Sequence, residues 1–94
     1  MNKTFKELKE RNVINGLDEL ANVKGTRTDI YNAIVKFNSM AIIDCRNAEV
    51  KINDKRFLVF LKRVEKGVYK IDGLVLQNTD ADGNCVNWEL FVNR

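Results

Sequence analysis

Asp80, Asp82 and Gly83, in the stretch DADGN, set acids two residues apart beside a glycine, which is how an EF-hand loop begins to present oxygens to calcium. That loop needs glycine at its sixth position and a bidentate glutamate at its twelfth. Counted from Asp80, Gly83 is fourth and the twelfth position is Phe91. The flanking residues read as strands, so the stretch is expected to be a polar turn, and no metal is expected. The chain has no histidine, which removes the commonest general base and the commonest zinc ligand. Ser39 is the only serine, and neither it nor Cys45 or Cys85 has an imidazole to activate it. Asp44 and Asp72 are the only acids within apolar surroundings, and each reads as a turn, edge or outer-face residue. These residues point away from an enzyme and from a bound cofactor.

Two patterns suggest nucleic acid. GTRTDIYNAIVKF follows a short helical stretch, as a recognition helix follows a turn, and would set Arg27, Thr28 and Asn32 against bases. Its single lysine, Lys36, and its early acid, Asp29, argue against it, since DNA-reading helices carry more positive charge. KRFLVFL sets aromatics beside cations as ribonucleoprotein strands do, but without their glycines and in a different order of helices and strands. The physics applies without that fold: Phe60 and Phe91 would stack bases while Lys51, Lys62 and Lys70 hold phosphates.

The cations are clustered. Sixteen cations against thirteen anions give a net charge of +3. Between residues 51 and 70, Lys51, Lys55, Arg56, Lys62, Arg63, Lys66 and Lys70 face only Asp54 and Glu65, seven minus two, or +5. The rest of the chain is slightly acidic. The two cysteines, far apart and in no CxxC pair, read as reduced, buried apolar residues of a cytoplasmic protein. The polar start MNKTFKELKERN has no apolar signal core, and no apolar run approaches the ~20 residues of a membrane span. The absence of proline and the frequency of asparagine and lysine fit a phage or mobile-element gene.

The elements that position these groups divide near residue 45 into a helical part (1–40) and an antiparallel sheet (41–94), together one domain spanning 1–94. Thr4 to Glu7, TFKE, predicts a capping box and a short helix to Arg11. Asn15-Gly16 breaks it, and Leu17, Leu20 and Ala21 predict a second helix ending at Gly25; the two could also be one helix kinked at Gly16. Thr28 is the favoured cap of a third, along which Ile30, Ala33, Ile34, Phe37 and Met40 recur at helical spacing. Beyond it the period changes, and AIIDC reads as a strand or a buried connection. Asn53-Asp54 predicts a hairpin turn with positive φ, Glu65-Lys66-Gly67 a three-residue turn, and CVNWELFV a last strand. The fold class expected is α+β: two or three N-terminal helices packed on one face of a four- or five-stranded antiparallel meander.

Turn geometry then sorts the side chains, because cross-strand partners point the same way. One face collects Val50, Ile52, Phe57, Val59, Leu61, Tyr69, Ile71, Gly73 and Val75, with Val86, Trp88, Leu90 and Val92, and is assigned to the helices. The other collects Leu58, Phe60, Leu74, Leu76 and Phe91 among Lys51, Lys62 and Lys70. Burying Leu58, Phe60 and Leu74 is worth about 1.5–3 kcal/mol each, a sum comparable with a small domain's stability of ~5–15 kcal/mol. An apolar centre ringed by lysines is expected to bind something outside the chain.

The function expected is that of a small non-catalytic binding protein, a regulator or inhibitor acting stoichiometrically on a protein partner, by this face or by strand addition at an edge. Self-association as a homodimer is a variant. The partner-binding residues expected are Leu58, Phe60, Leu74, Phe91, Lys51, Lys62 and Lys70. The alternative is a nucleic-acid-binding module using Lys51, Lys55, Arg56, Lys62, Arg63, Lys66 and Lys70.

Overall fold

The structure, a computed structural model, describes residues 3–94. In chain order it contains β1 (Lys3–Thr4), α1 (Phe5–Glu10), α2 (Leu17–Leu20), β2 (Lys24–Gly25), α3 (Arg27–Phe37), β3 (Met40–Asp44), β4 (Glu49–Ile52), β5 (Lys55–Glu65), β6 (Val68–Thr79) and β7 (Cys85–Val92). All seven strands belong to one sheet, ordered β1-β7-β6-β5-β4-β3, with β2 attached to β6. The sheet is mixed, because β1 runs parallel to β7 while the other pairs are antiparallel. The expected four- or five-stranded antiparallel meander is therefore corrected to a seven-stranded mixed sheet with three short helices. Two of the added strands, β1 and β2, have two residues each. No alternation can show in two residues, which is why both segments read as helix flanks.

The caps differ from expectation in an informative way. Thr4 precedes α1 with its backbone paired to Val92, and its side chain makes no capping bond. The capping box forms instead at Thr26, not Thr28: Asp29 N–H donates to Thr26 Oγ1 at 3.2 Å, and Thr26 N–H donates to Asp29 Oδ2 at 2.9 Å. α3 stops at Phe37, where Asn38 turns extended, so Met40 opens β3 rather than closing the helix. Gly16 starts α2 with φ +70°, and a Cβ there would lie 2.5 Å from Phe37 Cδ2. Glycine is thus required twice, by conformation and by the close approach of the α3 terminus.

The β4–β5 hairpin closes as its turn residues dictate. Asn53 and Asp54 have φ of 49° and 69°, Ile52 pairs with Lys55 and Val50 with Phe57. The β5–β6 hairpin follows the expected register only from Arg63 to Leu61, which pair with Tyr69 to Ile71. Phe60 then pairs with Gly73, leaving Asp72 as an extra residue. This bulge is decisive. One residue of shift exchanges every following side chain between the faces, so Leu74 and Leu76 turn inward while Gly73 and Val75 turn outward. β7 inherits the shift: Phe91 opposes Leu74 and Leu90 opposes Val75.

The bulge is what the segment Ile71-Asp72-Gly73-Leu74 needs, since two large apolar residues three apart share a strand face only if one residue is inserted. Asn93 secures it, donating from Nδ2 to Ile71 O at 2.7 Å and Ala21 O at 2.9 Å, and from its backbone N–H to Asp72 O at 2.9 Å. A glycine inside a strand pattern signals a bulge, and Gly73 was that signal.

The core is one cluster. Phe5, Leu8, Ile14, Leu17, Leu20, Ile30 and Ile34 from the helical segments meet Val50, Ile52, Phe57, Val59, Ile71, Leu74, Leu76 and Phe91 from the sheet. Val75 is also buried yet lies outside that cluster, on the opposite face between Leu58 and Leu90. Cys45 and Cys85 are both free and exposed, correcting their reading as buried residues. No helix among the described residues is long and apolar enough to cross a membrane.

Candidate partner-binding face

The ladder gives the face away from the helices row by row. Arg56, Gln77 and Trp88 lie abreast on β5, β6 and β7. Next come Leu58, Val75 and Leu90, and then Phe60, Gly73 and Val92. Past the bulge, Lys62, Lys70 and Lys24 form a fourth row across β5, β6 and β2. With strands about 4.8 Å apart and alternate residues about 6.8 Å apart, the three rows cover roughly 10 by 14 Å, the first of them apolar only at Trp88, before lysine groups border them. Trp88 is 65% exposed and Phe60 49%. Leu90 is exposed as well, and Leu58 is half-buried. Gly73 belongs to the surface's shape: a Cβ there would sit 3.2 Å from Phe91 O and 3.4 Å from Leu90 Cδ1.

The expected site residues divide accordingly. Leu58 and Phe60 are on this face. Leu74 and Phe91 are not: they are 1% and 0% exposed in the helix-covered core, because the bulge at Asp72 inverted their strands. Phe91 is further closed off by Lys3 Nζ and Arg11 Cζ, 5.8 and 5.7 Å from its ring centre, so it cannot stack a base. Trp88, Leu90 and Val92, assigned from sequence to the helices, take their place. Lys62 and Lys70 border the patch, joined by Lys24, which sequence reasoning missed because a two-residue strand brings it there. Lys51 lies at the opposite end of the face, 3.9 Å from Asp54. Arg63 pairs with Tyr69 and so belongs to the helical side, while Lys66 is at the hairpin tip. Arg27, Thr28 and Asn32 are exposed on α3, where Asp29 is occupied as a cap.

Charge is distributed unevenly over this surface. Arg56 Nη2 donates to Glu49 Oε2 at 2.8 Å, and Gln77 Nε2 donates to the same oxygen at 2.8 Å. Arg56 Nε is buried without an acceptor, for which the structure shows no compensating contact. Lys51, Lys55, Arg56 and Gln77 line an open groove of about 320 Å³ beside the β6–β7 loop. In that loop Asp80 Oδ1 accepts from Asp82 N–H at 2.9 Å and Asn84 N–H at 3.0 Å, so the carboxylate organises the turn. By contrast, none of the ion pairs among the described residues involves Lys24, Lys62 or Lys70. Like charges directly opposite one another destabilise a sheet, and this row accepts that cost.

On the helical side, Glu89 holds the sheet's β7 margin to the N-terminal segment. It accepts from Lys3 Nζ at 2.6 Å and from Arg11 Nη1 and Nη2 at 2.9 and 3.0 Å. Those hydrogen bonds, Arg11's first, lower its carboxyl pKa to about 2. They bind β1 and α1 against Phe91 and keep the N-terminal segment on that side of the sheet. No protein-family model, no curated protein and no solved structure matches the chain.

Proposed function

We propose that this chain is a small non-catalytic binding protein, of regulator or inhibitor type, that takes a protein partner on the sheet face opposite its helices. The observation that carries the reading is the apolar surface of Phe60, Trp88 and Leu90, exposed, with half-buried Leu58 and Val92 around buried Val75. A contiguous apolar surface of this kind is a feature of interaction sites. Its exposed aromatics are of the residue types that dominate interface energetics.

A second reading is favoured by the lysine row beside Phe60: single-stranded nucleic acid, with Phe60 and Trp88 stacking bases and Lys24, Lys62 and Lys70 meeting phosphates. Salt separates the two. Phosphate binding weakens steeply with salt because counterions are released, whereas apolar contacts are far less sensitive. The expected result is that the wild-type chain captures a nuclease-resistant partner from its native host at high salt. Phe60→Lys and Leu90→Lys lose that partner while remaining folded by circular dichroism. Retention of the same partner by both variants, or capture that disappears with nuclease, overturns the protein-partner reading.

A further inference from the structure

β3 ends the sheet. Among the described residues its only neighbour is β4, whereas β7 at the other side is partly covered by β1 and flanked by the Lys3–Arg11–Glu89 cluster. Open edges are ordinarily blunted with lysine, proline or inward charge. β3 has none of these from Met40 to Ile43, its blunting being limited to the irregularity after Ile42 and the single charge of Asp44 at its end. Ile42 is 51% exposed, and Ala41 and Ile43 are exposed beside it.

The ladder shows which backbone groups are unpaired. The two-residue turn at Asn53-Asp54 makes Ile52 and Lys55 a hydrogen-bonded pair, so Ile52 and Val50 spend their backbone groups on β5. Lys51 therefore bonds to its partner Ala41, and the bond from Asn53 N–H to Ser39 O at 3.1 Å fits the same alternation. Met40 and Ile42 are left with N–H and C=O directed away from the sheet.

We infer that β3 is a self-association edge, on which a second copy of this chain adds its own β3 in antiparallel register with Ala41 on the two-fold axis. In that register Met40 of each copy opposes Ile42 of the other, and these are the residues whose backbone groups are free on both sides. The smallest side chain of the strand falls at the close, non-hydrogen-bonded crossing, where Cα atoms approach to about 4.5 Å. Ile42 of each copy gains an apolar neighbour in Met40 of the other. Charge does not oppose the contact: Met40 to Ile43 is neutral, and the nearest like charges on the sheet, Lys51 of each copy, stand about three strand spacings apart, beyond a Debye length of about 8 Å. The contact is isologous and closes on itself. A two-fold axis normal to the sheet places both uncovered faces on one side and both helical layers on the other, so the dimer would present two copies of the binding grid to one partner assembly.

Sedimentation velocity over a concentration series tests this. The wild-type chain is expected to show a concentration-dependent monomer–dimer equilibrium. Ile42→Pro removes the outward N–H without touching the β4 ladder, the position at which an edge strand tolerates proline, and is expected to weaken dimerisation by at least about tenfold. Ile42→Lys is expected to do the same and guards against a proline that disturbs folding. Phe60→Lys should leave the dimer intact. A wild-type chain that stays monomeric throughout overturns the inference. So does a dimer that survives Ile42→Lys, or one that Phe60→Lys dissociates.

Discussion

Phe91→Ala is expected to cost about 3–5 kcal/mol of stability and Leu74→Ala about 2–5 kcal/mol, while Phe60→Ala costs less than about 1 kcal/mol. The three residues have similar claims from sequence, each being a large apolar residue in a strand with apolar neighbours. The structure separates them by the bulge. Leu74 and Phe91 oppose each other on the helix-covered face at 1% and 0% exposure, so truncating either leaves a cavity that a core of this size cannot collapse into without loss. Phe60 lies half in solvent across from Gly73, and truncation there mainly removes surface. Urea unfolding of the three variants, compared at matched m-values, reads the difference. If Phe60→Ala is the most destabilising of the three, the register shift at Asp72 is wrong.

Asn38→Ala is expected to cost about 3 kcal/mol, equivalent to a fall in melting temperature of roughly 12–24 °C at 4–8 °C per kcal/mol. Asn38 is one of two buried polar residues among the described residues, and its side chain joins three segments. Its Oδ1 accepts from Asn15 N–H and from Asn53 Nδ2, each at 2.7 Å. Its Nδ2 donates to Asn15 O at 2.9 Å and Ile34 O at 3.1 Å. Asn53 extends the network, with Oδ1 accepting from Ser39 N–H at 3.0 Å. Alanine would strand several of these groups away from water. Asn38→Asp keeps the acceptor but sets a carboxylate oxygen against Asn15 O and Ile34 O in a buried site, so it should recover none of the loss. Asn53→Gly should be milder, since glycine preserves the positive-φ turn and forfeits only side-chain bonds. Thermal unfolding of the three variants checks the order; a neutral Asn38→Ala would mean that the network does not hold the α3–β3 junction.

The parts of this fold that depend on neighbouring residues were legible in the sequence. Asn53-Asp54 specified its hairpin, and the i, i+3, i+4 recurrence of Ile30, Ala33 and Ile34 specified α3. What depended on a single inserted residue was not. Alternation along KIDGLVLQ supports either face assignment, and only the demand that Ile71 and Leu74 share the core selects the bulge. Half of the expected apolar face followed that choice: Leu58 and Phe60 precede the bulge in the chain of pairing and lie away from the helices, whereas Leu74 and Phe91 follow it and exchanged faces with Val75, Leu90 and Trp88. Lys24 was out of reach for another reason, since two-residue strands such as β2 are created by the sheet they join.

Trp88 is the chain's single tryptophan and stands on the disputed face, so acrylamide quenching of its fluorescence in the monomer reads the account directly. An uncovered face requires red-shifted emission and efficient quenching of the wild-type chain. Blue-shifted emission with strong protection from acrylamide, in a chain shown to be monomeric, would mean that its own segments cover this face and leave no surface for a partner.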